Sequence, residues 1–137
     1  MPKTLLQETV EDSNILFQKI DTMKESELDA LPLGAIQLDA QGNILQYNVF
    51  ESRLANVPKN MAIGKNFFRE VAPCTDVKEF YGHFKKGVAA KKLHEKFRYH
   101  FSFKKNPRDV VITLFYSSMT QTVWVFVRPL EPNAGRS

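Results

Sequence analysis

The chain of 137 residues is 43% hydrophobic and 12% aromatic, with eleven phenylalanines; that size and richness suit one compact core and exclude disorder for its middle. No apolar run approaches a membrane span, the first residues lack the charged-then-apolar pattern of a secretory signal, and a lone cysteine excludes an internal disulfide or a multi-thiolate metal site, so a cytoplasmic location is expected. The net charge of +4 is uneven: nine of 19 Lys and Arg fall between residues 85 and 108, where Glu95 is the sole acid. A solvated helix face running into an edge strand accounts for this band better than a nucleic-acid surface, and neither nucleic acid nor a membrane is expected as partner.

In chain order, residues 1–31 read as two short helical pieces. Val10, Ile15, Leu16, Phe17 and Ile20 form an amphipathic stretch with Asp12 or Ser13 as its start. Leu28 and Leu31 follow a second start at Ser26, and Pro32 ends it. So few apolar residues cannot sustain a separate fold, so this segment is expected to dock as a helical cap on a larger body. Gly34 to Asp39 and Asn43 to Asn48 flank a glycine turn and predict a hairpin. Pro58 forbids one long helix through Val49 to Ala62, where short helical turns and loops are expected.

Gly64 to Asp76 carries the only cysteine. Phe67, Phe68 and Val71 have helical spacing, and Pro73 stops any helix there, placing Cys74 on a turn beside the interior. Val77, Phe80, Tyr81, Phe84 and Val88 predict an amphipathic helix over about residues 77–91, with lysines on its wet side and at its C-terminal end. Phe97, Tyr99, Phe101 and Phe103 alternate with Arg98, His100, Ser102 and Lys104, the mark of a strand with one aromatic face. Val110 to Tyr116 and Val123 to Arg128 give two more strands, and the chain from Pro129 reads as a frayed tail. The expected architecture is α+β: a cap over 1–31, a core over 32–129 built as a five-stranded antiparallel sheet with its helices on one side, and a disordered tail over 130–137.

The three histidines, His83, His94 and His100, show no metal-ligand spacing, and neither a metal nor catalytic residues are expected. A lone buried cysteine is often a small inert hydrophobe, a core tyrosine often bonds only to backbone, and a glutamate is usually exposed. A thiol enzyme using Cys74 with His83 as base would need those side chains within hydrogen-bond reach, and nothing in their spacing places them so. Tyr47 and Glu51, at the exit of the second strand, are both hydrogen-bond donors when protonated.

The runs Gly34-Ala35-Ile36-Gln37-Leu38-Asp39, Gly42-Asn43-Ile44-Leu45-Gln46-Tyr47-Asn48, Ile63-Gly64-Lys65-Asn66-Phe67-Phe68, Val71-Ala72-Pro73-Cys74-Thr75-Asp76 and Trp124-Val125-Phe126-Val127 resemble the photoactive yellow proteins, blue-light receptors with the PAS fold. The resemblance spans about residues 12–129. It implies a p-coumaric (4-hydroxycinnamic) acid chromophore joined as a thioester to Cys74, with Tyr47 and Glu51 hydrogen-bonding its phenolate oxygen and the Cys74 backbone N–H holding the thioester carbonyl. It further implies a pocket lined by Ile36, Phe67, Val71, Ala72, Pro73, Thr75, Phe101 and Phe103, and signalling without enzymatic turnover: isomerisation from trans to cis, proton transfer from Glu51, partial unfolding, and readout by an unknown downstream signalling protein.

The chain departs from the family pattern at four positions. Ala55 and Val57 stand where threonine and arginine are usual, which leaves Tyr47 less constrained and alters solvent gating. Phe103 and Lys105 stand where tyrosine and methionine are common, and slow recovery of the dark state is expected. The alternative reading is a chromophore-free PAS module acting through dimer or partner contacts.

Overall fold

The computed structural model describes residues 16–101 and 108–130. Phe103 and Lys105, the start of the first helical piece at Asp12 or Ser13 and the tail from residue 131 lie outside them.

The first hairpin forms where the glycine turn predicts it. β1 (Gly34–Leu38) pairs antiparallel with β2 (Ile44–Tyr47), with a register shift between Gln37 and Leu38. The Asp39 carboxylate closes the turn by accepting from the N–H groups of Gln41 and Asn43 at 2.9 and 2.8 Å. Gly42 takes φ 90°, a left-handed conformation that costs glycine nothing.

β3 (His94–Phe101), β4 (Arg108–Ser117) and β5 (Thr122–Pro129) complete a five-stranded antiparallel sheet in the order β2-β1-β5-β4-β3. Central β5 is buried on both faces. Val123, Val125 and Val127 face the main core with Ile36 and Tyr47, whereas Trp124 and Phe126 face a second core with Ile20, Leu28 and Leu33. The helices after β2 therefore cover one face and the N-terminal segment covers the other. β3 lies at a sheet edge with Arg98 exposed, as the basic band implied.

Several boundaries differ from expectation. The helix expected over 77–91 is a π-helical turn, Lys78–Gly82, followed by a helix at His83–Ala90. Val77 is extended and exposed before the turn, so the buried stripe begins at Phe80, whose ring meets those of Phe67, Phe97 and Tyr99. Phe67–Val71 is a second π-helical turn, capped by Asn66, whose side chain accepts from Phe68 and Arg69 N–H at 3.1 Å each. α1 (Glu25–Asp29) is capped at Lys24 rather than Ser26, because the Glu27 carboxylate reaches back to the Lys24 N–H at 2.8 Å. The aromatic strand starts at His94, before Phe97. Pro129 ends β5, and the Leu130 N–H bonds the Asp109 carbonyl at 2.9 Å, so the chain is still anchored at residue 130, where the tail was expected to begin.

After β2 come α2 (Val49–Ala55) and α3 (Lys59–Ala62), with Asn56 in the left-handed conformation ending α2. Pro58 caps α3, consistent with the expected break. Buried Asn48 joins three parts of the fold. Its Oδ1 accepts from Ala35 and Glu51 N–H at 3.0 Å each, and its Nδ2 donates to the Leu28 and Leu33 carbonyls at 2.8 and 2.9 Å. One amide thus caps the helix carrying Glu51, pins β1 and holds the N-terminal segment. That segment is also fastened by Asp21, which accepts from the Trp124 indole at 2.9 Å and from Ser117, and by Lys59, which pairs with Glu25 and Asp29 at 3.0 and 2.8 Å.

Asn48→Ala removes four buried hydrogen bonds and is expected to cost at least about 2 kcal/mol of stability, read by urea unfolding. A loss below about 0.5 kcal/mol would show that these bonds are replaced locally.

Candidate functional site

The site is built from the end of β2, the first turn of α2 and the turn at Pro73–Thr75. Tyr47 alternates inward from β2, while Asn48 starts α2 so that Glu51, in its first turn, also faces inward. Both are buried, at 2% and 3% exposure. The Tyr47 hydroxyl and Glu51 Oε1 each lack a hydrogen-bond partner within the protein. Buried polar atoms are nearly always paired, so these two are free to engage an atom from outside the protein.

Burial pushes the Glu51 carboxyl from its ordinary 4.5 up to about 8, so near neutrality it holds a proton and donates. Burial, and secondarily the Glu51 charge, raises the Tyr47 phenol well above its usual range. Each group can therefore present an O–H to one acceptor, and an anionic oxygen suits the pair best.

Cys74 is half-buried on a 3₁₀ turn and packs against the core cluster that contains Tyr47, Ile36, Phe67, Ala72 and Phe101. Thr75 is fully buried and its hydroxyl donates to the Ala72 carbonyl at 2.6 Å. Val71 is half-buried against the same cluster. Pro73 is exposed and starts the turn that carries Cys74. Phe103 lies outside the described residues.

Sequence reasoning missed Tyr99 as a site residue. Its hydroxyl donates a short hydrogen bond to the Cys74 carbonyl, tying the cysteine turn to β3. The aromatic alternation of β3 pointed Tyr99 inward, but only the fold supplies its partner. At the departures from the family pattern, Ala55 is buried and offers no hydroxyl to Tyr47, and Val57 packs against the core. Arg53 is exposed and lines an open cleft with Asp29, Phe50 and Arg108. The His83 ring meets that of Phe97 in a tilted contact and lines a separate open groove with Lys86, Leu93 and Tyr116.

The PAS fold family model matches residues 22–128. The photoactive yellow protein of Halochromatium salexigens is 39% identical over 118 residues, covering 86% of this chain and 94% of that protein. The chain belongs to the photoactive yellow protein family. The relative from Rhodothalassium salexigens is 41% identical over 106 residues, 77% of this chain and 85% of its own. Among solved structures, the photoactive yellow protein domain of the sensor histidine kinase Ppr from Rhodospirillum centenum superposes with a TM-score of 0.78 at 43% identity, covering 82% of this chain and 98% of that domain. Among the described residues, no helix is long and apolar enough to cross a membrane, and no group of three or more His, Cys, Asp or Glu is placed to hold a metal ion.

In this photoactive yellow protein, Glu51 sets a pH dependence of stability. The folded chain holds the Glu51 proton up to about pH 8, whereas the unfolded chain loses it near 4.5, so between those values the fold binds more protons and stability falls as pH rises. The Glu51 contribution approaches about 1.4 kcal/mol per pH unit and levels off above pH 8. Urea unfolding of the chromophore-free protein across this range should show a steeper decline than Glu51→Gln; equal slopes would assign the titration to other groups.

Proposed function

We propose that the protein is a cytoplasmic blue-light photoreceptor that holds p-coumaric acid as a thioester on Cys74. The observation that carries this reading is the pair of unpartnered donors, Tyr47 Oη and Glu51 Oε1, buried at the core cluster that the Cys74 turn borders. Bound there, p-coumaric acid would supply a phenolate absorbing visible light and a double bond that isomerises from trans to cis on illumination.

The residues account for the remaining requirements. Cys74 provides the nucleophilic sulfur, which displaces the leaving group of an activated p-coumaroyl donor and retains the acyl group. Tyr47 and neutral Glu51 donate to the ring oxygen, favouring its anion against the burial that opposes any charge. Glu51 is kept protonated as a carboxylic acid in an apolar enzyme site can be. If isomerisation broke the fit to these donors, Glu51 would give its proton to the ring oxygen it had held and be left as a carboxylate in the core.

An unpaired charge there costs several kcal/mol, a large share of the roughly 5–15 kcal/mol that stabilises a domain of this size. The response falls on the parts held by Asn48. The N-terminal cap, residues 1–31, is bonded through the same amide that caps the Glu51 helix, so loss of that helix's order loosens the cap from the core at 32–129. A downstream signalling protein reads the surface so exposed.

Incubating the purified protein with p-coumaric anhydride, whose second p-coumarate leaves, is expected to produce a visible band and a thioester mass on the peptide containing Cys74. Cys74→Ala is expected to stay colourless. Absence of both band and mass would leave a PAS module acting through partner contacts. Glu51→Gln should retain pigment but absorb at longer wavelength, because an amide is a weaker donor than the acid; an unchanged spectrum would remove Glu51 from the phenolate site.

A further inference from the structure

β1 begins at Gly34, which pairs with Val127 of β5 in an ordinary antiparallel register. The glycines with positive φ among the described residues are Gly42 and Gly64, so backbone conformation does not require glycine at position 34. Space does. A Cβ on Gly34 would lie 2.1 Å from Glu51 Oε1, 3.2 Å from Glu51 Cβ and 3.1 Å from Val127 Cβ. The carboxyl oxygen of Glu51 thus occupies the volume that any other residue's side chain would fill.

We infer that Gly34 is a positioning residue, whose missing side chain forms the seat that holds the Glu51 carboxyl beside Tyr47. The elements around the seat leave little room to adjust. Val127 lies in the central strand, and Asn48 Oδ1 accepts from both the Ala35 and Glu51 N–H groups, fixing the separation of β1 and α2. The first obstacle to a methyl group at position 34 is the flexible carboxyl end, which rotates away, while the Cβ atoms of Glu51 and Val127 need shift by only a few tenths of an ångström. Tyr47 on β2 is the ionisable neighbour whose phenol feels the Glu51 charge, so a displaced carboxyl changes the pairing of the two groups. The consequence for proton release rests on the photoreceptor reading, whereas the seat itself does not.

The test uses the full chain without chromophore. The Glu51 carboxyl is followed by ¹³C NMR against pH and identified by the loss of its signal in Glu51→Gln. Gly34→Ala is expected to move the titration midpoint by at least one pH unit, a tenfold change in acid dissociation constant. In a Glu51→Ala background, which removes the carboxyl but keeps the Cβ contacts to residues 51 and 127, the same substitution is expected to lower the unfolding midpoint by less than it does in the unsubstituted protein. An unmoved Glu51 titration, or an equal loss of stability from Gly34→Ala in both backgrounds, overturns the inference. Should Gly34→Ala alone fail to fold, folding of the double variant supports the seat and its failure overturns it. Failure of the unsubstituted protein to take up p-coumarate would count against the photoreceptor reading and leave the titration result standing.

Discussion

A carboxyl group buried without a partner is the constraint on which the rest of the structure depends. Glu51 is 3% exposed, lacks a hydrogen bond at Oε1 and keeps its proton to about pH 8. A neutral acid in such a place is tolerable and a charged one is costly. The fold therefore has two energetic conditions that differ by a single proton. The surrounding elements serve to hold that proton in place: α2 is capped so that Glu51 faces inward, and β1 carries no side chain where the carboxyl lies.

The arrangement of the two cores connects that proton to the surface. Alternate residues of β5 face the helices and the N-terminal segment, so the cap lies across the sheet from Cys74 rather than beside it. Direct contact cannot carry a change from one to the other. Asn48 supplies the connection, because one amide group bonds to Glu51 N–H on one side and to the Leu28 and Leu33 carbonyls on the other. The other polar fastenings of the cap run through Asp21 and Lys59. In the proposed photoreceptor, release of the cap uncovers the second core, where Ile20 and Leu28 pack with Trp124 and Phe126.

The family resemblance and the local geometry meet at the departures. Where relatives of this type commonly carry a threonine, Ala55 offers Tyr47 no hydroxyl, and the phenol is left with its donor unengaged by the protein. Arg53 does not substitute for the arginine replaced by Val57, since its side chain lines an outer cleft. In the proposed photoreceptor, tuning would accordingly rest more heavily on Glu51 and its seat than on a network around Tyr47. Tyr99, by fastening the Cys74 carbonyl to the edge strand, fixes the other end of the site.

The sequence by itself determined the strand pattern, the hairpin, the break at Pro58 and the family, because alternation, turn residues and contiguous motifs are local properties of the chain. It also pointed to Tyr47 and Cys74 through those motifs and to Glu51 through the resemblance they carry. It did not disclose the π-helical turns at Phe67–Val71 and Lys78–Gly82, since aromatic spacing of three and four suits either kind of helix until the rings meet across the core. Pro73 starts the turn at Cys74, as its fixed backbone angle implied, and is exposed there. Only the tertiary structure decided that Tyr99 bonds Cys74, that Asn48 joins the cap to the Glu51 helix, and that Gly34 leaves room for a carboxyl. Each depends on atoms from segments distant in the chain, brought together by sheet register and helix placement that no local pattern encodes.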